Sequence, residues 1–306
     1  MTTVSKYKSY LINIGHSVGI GFLKAISYLP FPVLYGVSDL LALLLQYVIR
    51  YRRKVIIKNL VLSFPEKNKK EIAFIVRKFY RHFADTMVET IKGYSMSWES
   101  FQKRISFHGI EEMNAYYQKG QSIVMFGMHY NNWEWSGSAQ PLIKHQYLVI
   151  VNPMRNNPRF EEYLTNIREQ WGAKTIPVHK SARAALEFHK NRIPVCLVLA
   201  GDQRPPVITD FWTTFLNQEA CFNPGVEKIA RKTNQPVFFH MTRKIRRGHY
   251  EVFFIPLIEN PASVSDEEIL LTYVRTMEKY IREAPEYYLW SHKRWKQVRP
   301  EGYRIY

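Results

Sequence analysis

SIVMFGMHYNNWEW, residues 122–135, joins an apolar run to a histidine and a glutamate. The apolar start, SIVMF, has the length and composition of a buried strand. His129 and Glu134 are five residues apart, and five steps of about 100° on a continuous helix would place their side chains roughly 140° apart. The two can therefore meet only if His129 lies on a loop before a helix. Asn131 or Asn132 would cap that helix, with Glu134 in its first turn.

A histidine that follows a strand, close to a carboxylate, is suited to general-base chemistry, but a surface histidine gives the same pattern. Two further polar clusters follow apolar runs, namely NPMR (152–155) after YLVIV and GDQR (201–204) after IPVCLVLA. Sheets of alternating strands and helices carry their chemistry at strand ends. The three clusters together favour a catalytic site, whereas the alternative is that NPMRNNP and GDQRPP are ordinary turns rich in Asn and Pro.

Short apolar strands alternate with helical segments from about residue 105 onward. The predicted strands are 122–127, 147–151, 174–178, 193–200, 236–241 and 250–255. The predicted helices are 158–171, 181–190, 223–233 and 265–284, the last with Ser265 and Glu268 as a capping box. Earlier in the chain, residues 71–94 repeat apolar side chains at helical spacing. This alternation predicts an α/β fold whose sheet, parallel or mixed, is flanked by helices, after an all-helical N-terminal part of about 100 residues.

The composition is that of a protein with a large core and an anionic partner. Of the 306 residues, 46% are hydrophobic and 15% aromatic, which excludes a disordered chain. Lys and Arg number 43 against 26 Asp and Glu, so the formal net charge is +17. This excess favours nucleic acid, an anionic membrane or an acidic protein as partner. Cys196 and Cys221 cannot form a disulfide framework, which fits a reducing compartment.

Several catalytic motifs are missing from the sequence. There is no GxSxG elbow, which argues against a serine hydrolase, and no HExxH or CxxC, which argues against a zinc site. A Walker A loop and a dinucleotide-binding glycine fingerprint are also missing. We therefore expect neither a metal nor a cofactor. Only the positive charge supports nucleic-acid binding. No recognised nucleic-acid-binding module matches the sequence, so we do not expect this function.

The N-terminal region predicts a membrane anchor without a cleavable secretory signal. The first apolar stretch (11–34) is interrupted by a histidine, a lysine and two prolines. The second (33–49) is 17 residues long, carries one aspartate and ends in RYRRK (50–54), whose charges suit anionic headgroups. The alternative is a buried pair of amphipathic helices. We predict an anchoring helical segment at 1–50 and a main domain at 51–306, helical to about residue 104 and α/β after it.

Five segments, in order, resemble the motifs of the bacterial lipid A secondary acyltransferases, the lauroyl/myristoyl family within the glycerolipid acyltransferases that carry H-x4-D/E. These segments are RRKVIIKNLVLSFPE (52–66), HYNNWE (129–134), NPMRNNPRFEEYLTNIREQWGAKTIP (152–177), GDQ (201–203) and WSHKRWK (290–296). They span nearly the whole chain. Two departures concern the choice of acyl chain and acceptor: TDFWTTFLNQEA (209–220) lacks the usual glycine, and HKRW replaces the commoner HRRF.

The resemblance implies that the domain at 51–306 moves an acyl group from a thioester to a lipid-borne hydroxyl. A hydroxyl attacks a thioester only if a base takes its proton. His129 would be that base, and Glu134 would accept a hydrogen bond from the other ring nitrogen, fixing the tautomer and stabilising the imidazolium. This route needs no covalent acyl-enzyme.

The remaining site residues are expected to bind substrate. Arg155 is the candidate donor to the tetrahedral oxyanion. Arg168 would hold a phosphate of the acceptor or of the donor's pantetheine arm, unless it is an ordinary solvated helix charge. Asp202 and Gln203 are assigned to substrate positioning.

The resemblance also implies the partners: acyl carrier protein as donor, lipid A or its precursor as acceptor, and the cytoplasmic face of the cell inner membrane. RKIRR (243–247), in a predicted turn between two strands, and KRWKQVR (293–299) are candidate contacts for the acidic carrier, unless their charges are merely solvated. One alternative is an O-acyltransferase for an amino-acid lipid or a lysophospholipid. Another is a non-catalytic basic protein that binds a membrane surface or nucleic acid.

Overall fold

A seven-stranded mixed sheet forms the centre of the protein in a computed structural model, which describes residues 3–154 and 156–306, with only the backbone at 3–14 and 226. In chain order the strands are β1 (Ile105–His108), β2 (Ile123–Gly127), β3 (Gln146–Val151), β4 (Lys174–Pro177), β5 (Val195–Ala200), β6 (Trp212–Phe215), β7 (Gln218–Cys221), β8 (Val237–Arg246) and β9 (His249–Ile258). The sheet order is β1-β9-β8-β2-β5-β3-β4, and β6 and β7 form a separate antiparallel pair. All neighbours in the large sheet are parallel except β8 and β9. The predicted mixed α/β architecture is confirmed.

Strand β2 lies in the middle of this sheet because its sequence is apolar throughout. All five of its residues are buried, and it pairs in parallel with β5 on one side and β8 on the other. A strand buried on both faces reads as a continuous apolar run, which is why IVMFG was identifiable from sequence. The six predicted strands are all present. β1, β6 and β7 were not predicted, because each has only four residues and mixes polar with apolar side chains.

Helices cover both faces of the sheet. They are α1 (Thr3–Ser27), α2 (Phe31–Leu43), α3 (Arg53–Ser63), α4 (Lys69–Gly93), α5 (Trp98–Gln102), α6 (Ile110–Gln118), α7 (Trp133–Ser136), α8 (Pro158–Glu169), α9 (Ser181–Lys190), α10 (Val226–Thr233) and α11 (Asp266–Glu283). A π-helical turn, Leu44–Val48, continues α2. One apolar cluster joins the sheet to α3, α4 and α11, and a second joins its other face to α5, α6 and α7. One of the two bonds of the predicted capping box of α11 is present, since Ser265 Oγ accepts from the Glu268 amide at 3.1 Å.

Helix α2 hydrogen-bonds to α4 through polar side chains and leaves many of its apolar side chains exposed. Ser38 is fully buried and donates to Asp85 of α4 at 2.7 Å, and Tyr35 donates to Glu89 of α4 at 2.9 Å. The exposed apolar side chains of this region are Val33, Val37, Leu40, Leu43, Leu44, Tyr47, Val48 and Ile49. The stretch Phe31–Val48 is long and apolar enough to cross a membrane, and only 28% of it is buried within the protein. A core helix of a water-soluble domain would instead bury most of its apolar side chains.

The tip of the β8–β9 hairpin contacts α2, which corrects the interpretation of RKIRR (243–247) as a free basic patch. Arg247 Nη2 lies 2.8 Å from Asp39 Oδ1 and 2.6 Å from Asp85 Oδ1. Because two carboxylates hold its guanidinium, the pKa of Arg247 is raised despite partial burial. Arg246, by contrast, is exposed. The predicted turn between the two strands is confirmed, with Gly248 at a φ of +70°.

The C-terminal segment KRWKQVR (293–299) is likewise less available than its charge suggested. Arg294 is 2% exposed and donates from Nη2 to the carbonyl oxygen of Cys221 at 2.7 Å. Its guanidinium also lies over the ring of Phe222. Arg299 pairs with Glu219 at 3.0 Å. Two of the basic side chains in this segment therefore hold the tail in place and are not free for a partner.

Candidate active site

His129 and Asp202 form a hydrogen-bonded pair at the carboxyl ends of adjacent strands. His129 lies on the loop after β2 and Asp202 follows β5, and the β2–β5 ladder ends at the pair Gly127↔Ala200. His129 Nδ1 lies 2.8 Å from Asp202 Oδ1. The histidine side chain is 24% exposed and the aspartate 2%. The imidazole is thus open to substrate while its carboxylate partner is shielded.

The structure corrects the predicted partner of the histidine, because Glu134 pairs with Arg168. Arg168 Nε donates to Glu134 Oε2 at 2.9 Å, and Nη2 donates to Oε1 at 2.7 Å. This two-point geometry satisfies both carboxylate oxygens and directs them toward α8. The physical reason is that a planar guanidinium in a partly buried site is a stronger partner for a carboxylate than a neutral imidazole. Arg168 is therefore held by Glu134 through Nε and Nη2 and is not an ordinary solvated helix charge, while its predicted contact with a phosphate stays a prediction.

The position of Glu134 follows from the cap of α7. Asn132 is fully buried, and its Oδ1 accepts from the Trp135 amide at 3.0 Å. One of the two predicted caps is thereby confirmed, and Glu134 lies in the first turn of this short helix as expected. Asn131 instead adopts a left-handed φ of +54° and donates from Nδ2 to Thr242 O at 2.7 Å.

The hydrogen bond to Asp202 fixes the tautomer of His129. An ionised carboxylate only accepts, so Nδ1 carries the proton and Nε2 is left with its lone pair. Gln203 Nε2 lies 3.2 Å from His129 Nε2, which makes the glutamine amide the donor to that lone pair. The amide occupies the position from which a hydroxyl group would give up its proton to Nε2.

Electrostatics favour a histidine that titrates above its ordinary range. Burial alone lowers the pKa of His129, but the Coulombic attraction and hydrogen bond of Asp202 outweigh it, and the net direction is upward. Burial raises the pKa of Asp202, but the neighbouring imidazole reverses the effect and the net direction is downward. For Glu134 the penalty of burial is likewise overcome by Arg168, so the pKa of Glu134 falls. Asp202 and Glu134 are therefore both ionised at neutral pH.

Three residues near this site were not predicted from sequence. Glu89 of α4 is 1% exposed and accepts from Asn132 Nδ2 and Tyr250 Oη, each at 2.7 Å. His292 accepts the Arg204 amide hydrogen at 3.1 Å, and burial lowers its pKa to about 4. Tyr273 of α11 contacts the ends of β2 and β5. Only His292 had a sequence signal, because it lies within the WSHKRWK motif, whereas Glu89 and Tyr273 read as ordinary positions on amphipathic helices.

Arg155, the predicted oxyanion donor, lies outside the described residues. Within the described part of the chain, no group of three or more His, Cys, Asp or Glu side chains is arranged to hold a metal ion.

Known proteins of one family match nearly the whole length of the chain. The lipid A biosynthesis lauroyltransferase of Escherichia coli (strain K12) is 25% identical over 314 aligned residues, covering 99% of this chain and 98% of that protein. The lipid A biosynthesis palmitoleoyltransferase of the same strain is 24% identical, covering 93% of this chain and 91% of that protein. A lipid A biosynthesis acyltransferase of Haemophilus influenzae is 23% identical, covering 89% and 85%. The model of the bacterial lipid A biosynthesis acyltransferase family matches residues 1–297, so the chain belongs to that acyltransferase family.

Proposed function

We propose that this protein transfers a fatty acyl chain from an acyl thioester to a hydroxyl of lipid A or its precursor, with His129 as general base. The observation that carries the proposal is the 2.8 Å contact of His129 Nδ1 with Asp202. This contact leaves Nε2 as the basic atom and directs it away from the buried carboxylate. The names of the similar proteins, which act in lipid A biosynthesis, support the choice of acceptor.

The reaction proceeds in two steps. The acceptor hydroxyl gives its proton to His129 Nε2 while its oxygen forms a bond to the thioester carbonyl carbon. The tetrahedral intermediate then collapses with cleavage of the carbon–sulfur bond, and the departing thiolate takes the proton back from Nε2. The products are an ester and a free thiol, and His129 returns to its starting state. Asp202 holds the imidazole in orientation and stabilises the transient imidazolium.

Gln203 is suited to a second task in this cycle. Its amide donates to His129 Nε2 at 3.2 Å when no substrate is bound. The incoming hydroxyl displaces that amide, which leaves its N–H groups close to the reacting carbonyl. We assign them to the oxyanion, beside Arg155, for which the sequence motif remains the support. Gln203 thus protects the base before substrate binds and stabilises negative charge afterwards.

Glu134 contributes through Arg168 in this scheme, and not through a bond to the imidazole. The pair joins the first turn of α7 to α8. Because α7 follows the loop that carries His129, fixing this turn restricts where the imidazole can lie. The negative charge of Glu134 also raises the pKa of His129, as a smaller effect than that of Asp202.

The N-terminal region supports action at a membrane, which we place at the cytoplasmic face of the cell inner membrane. The exposed apolar side chains of α2 and the following turn form a surface suited to lipid, and residues 50–58 carry basic side chains beside it. The division into an anchoring segment (1–50) and an acyltransferase domain (51–306) stays a prediction.

We propose acyl carrier protein as the donor. The net charge of +17 favours an acidic macromolecular donor over acyl-CoA, whose anionic groups are few. Since Arg247 and Arg294 are held internally, exposed basic residues such as Arg246 carry this contact.

The test uses the full chain in detergent micelles with an underacylated lipid A precursor, or with a lysophospholipid. The acyl chain is offered on carrier protein or on CoA, and products are weighed by mass spectrometry. We expect the lipid A precursor to gain one acyl group, faster from the carrier protein and more slowly at higher salt. Acylation of the lysophospholipid alone would overturn the acceptor assignment. Equal, salt-independent rates with both donors would overturn the donor assignment.

A further inference from the structure

Tyr273 of α11 contacts both strands that carry the candidate catalytic pair. Its hydroxyl donates to the carbonyl oxygen of Gly127 at 2.6 Å and accepts from the amide of Gly201 at 3.0 Å. Gly127 ends β2, two residues before His129, and Gly201 follows β5, one residue before Asp202. One oxygen atom therefore joins the two strand ends.

This contact lies where the sheet itself stops holding the strands together. The β2–β5 ladder ends at Gly127↔Ala200, so residues beyond that pair depend on other contacts for their separation. The hydroxyl donates its single proton to one strand and accepts a hydrogen bond from the other, so it links the two strands where their backbone hydrogen bonds have ended.

The ring that carries this hydroxyl is rigidly held. Tyr273 is 1% exposed, and its ring stacks on Phe126 of β2 with centroids 4.5 Å apart. It also packs against Phe239 of β8. Burial raises the pKa of Tyr273 well above its usual range, so the hydroxyl keeps its proton at any working pH.

The glycine at position 201 fits the same interpretation. A Cβ there would lie 3.1 Å from Cε1 and 3.3 Å from the hydroxyl oxygen of Tyr273. The ring and the strand end are thus already in contact, and an added methyl group would push them apart by a few tenths of an ångström.

We propose that Tyr273 is a positioning residue that sets the separation of His129 from Asp202 by joining the ends of β2 and β5 through its hydroxyl. The inference rests on the proposed function, since it concerns the same base. It adds a residue, on a helix distant in sequence, whose hydroxyl acts on the reaction only through that pair.

The direct test is Tyr273→Phe, which keeps the ring and removes the oxygen. We expect kcat to fall by roughly 10- to 100-fold, because small misplacements of a base are costly, with the KM for both substrates little changed. We also expect the acid limb of the rate profile to move to lower pH, because a looser contact with Asp202 raises the pKa of His129 less. Gly201→Ala should shift both quantities in the same direction.

Tyr80→Phe is the matched control. Tyr80 of α4 is fully buried and donates to a backbone carbonyl, that of Tyr51, at 2.8 Å. Both tyrosine variants should lower Tm by a few degrees, Tyr273→Phe through the loss of two hydrogen bonds and Tyr80→Phe through the loss of one. Only Tyr80→Phe should keep the wild-type kcat and pH profile.

Two outcomes would overturn the inference while wild-type activity is intact. One is a folded Tyr273→Phe enzyme with the kcat and acid limb of the wild type. The other, decisive if Tyr273→Phe fails to fold, is a Gly201→Ala enzyme with unchanged kcat and acid limb. A wild-type protein that transfers no acyl group would instead overturn the proposed function, so the two failures are distinguishable.

Discussion

Glu134 Oε1 lies 2.7 Å from Nη2 of Arg168, so the carboxylate of the H-x4-E motif pairs with an arginine, while the candidate base is held by Asp202. Two carboxylates thus surround His129 with different tasks. One contacts the imidazole, and the other fixes the helix that follows it.

Exchanging each carboxylate for its amide separates these tasks. Asp202→Asn should lower kcat by roughly 10²- to 10⁴-fold, because an amide can donate to Nδ1 and stabilise the tautomer with its proton on Nε2. Glu134→Gln should instead lower stability by about 3 kcal/mol, because the guanidinium of Arg168 loses its counter-charge. Steady-state kinetics of both purified variants measure the change in kcat, and thermal unfolding measures the change in stability. A Glu134→Gln enzyme of wild-type stability but with the kinetic loss of Asp202→Asn would show that Glu134 is the direct partner after all.

The rate should depend on pH through His129. The base must be neutral to accept a proton, and its pKa is raised by Asp202, so kcat/KM should fall as the pH drops through a value above the usual range of a histidine. The neighbouring His240 and His292 do not interfere, since burial lowers the pKa of each to about 4. In Asp202→Asn the acid limb should move to lower pH. A limb that stays in place in that variant would assign the titration to another group.

Arg246 and Arg247 should behave differently despite being adjacent. Arg247→Glu would place a third carboxylate beside Asp39 and Asp85, so we expect a marked loss of thermal stability. Arg246→Glu should leave Tm unchanged and raise the apparent KM for the carrier-protein donor, with little effect on hydrolysis of a small thioester. Unaltered donor kinetics in Arg246→Glu at low salt would remove the hairpin from the docking surface.

The exposed face of α2 should govern membrane binding. Leu40 and Val48 are 60% and 71% exposed, so Leu40→Lys and Val48→Lys should reduce co-flotation with anionic vesicles while leaving Tm unchanged. Ile193→Lys is the control, because Ile193 is 47% exposed but lies after α9. Equal flotation of all three variants and the wild type would argue against this face as the lipid contact. Deleting residues 1–50 is a cruder test, because it also removes the hydroxyls of Tyr35 and Ser38, which donate to carboxylates of α4.

Local patterns were enough to predict six of the seven strands of the large sheet and the loop that carries His129. Apolar runs of five to eight residues and the Asn132 cap are local features, and the folded protein shows the expected strand and cap. The partner of the histidine is not a local feature. Asp202 is 73 residues away in sequence and reaches His129 only because β5 lies beside β2. The nearer carboxylate, Glu134, was the natural choice from spacing alone, and its own long-range partner was equally invisible.

The sequence also predicted only part of the role of the basic residues. The excess of Lys and Arg correctly indicates a basic protein, but sequence does not reveal which of these side chains are already paired. Arg247 is neutralised by carboxylates from two different helices, and Arg294 is buried against backbone and an aromatic ring. Both contacts join segments that are distant in the chain.

The most direct test of the central claim is the rate of acyl transfer by purified His129→Ala. Carrier-bound acyl donor and a lipid A precursor are supplied in micelles, and the ester product is counted by mass spectrometry under single-turnover conditions. We expect the rate to drop by roughly 10²- to 10⁴-fold. The variant should stay folded, with Tm lower by a few degrees because the buried Asp202 loses its hydrogen-bond donor. A His129→Ala enzyme that retains near wild-type turnover would contradict the assignment of His129 as the base.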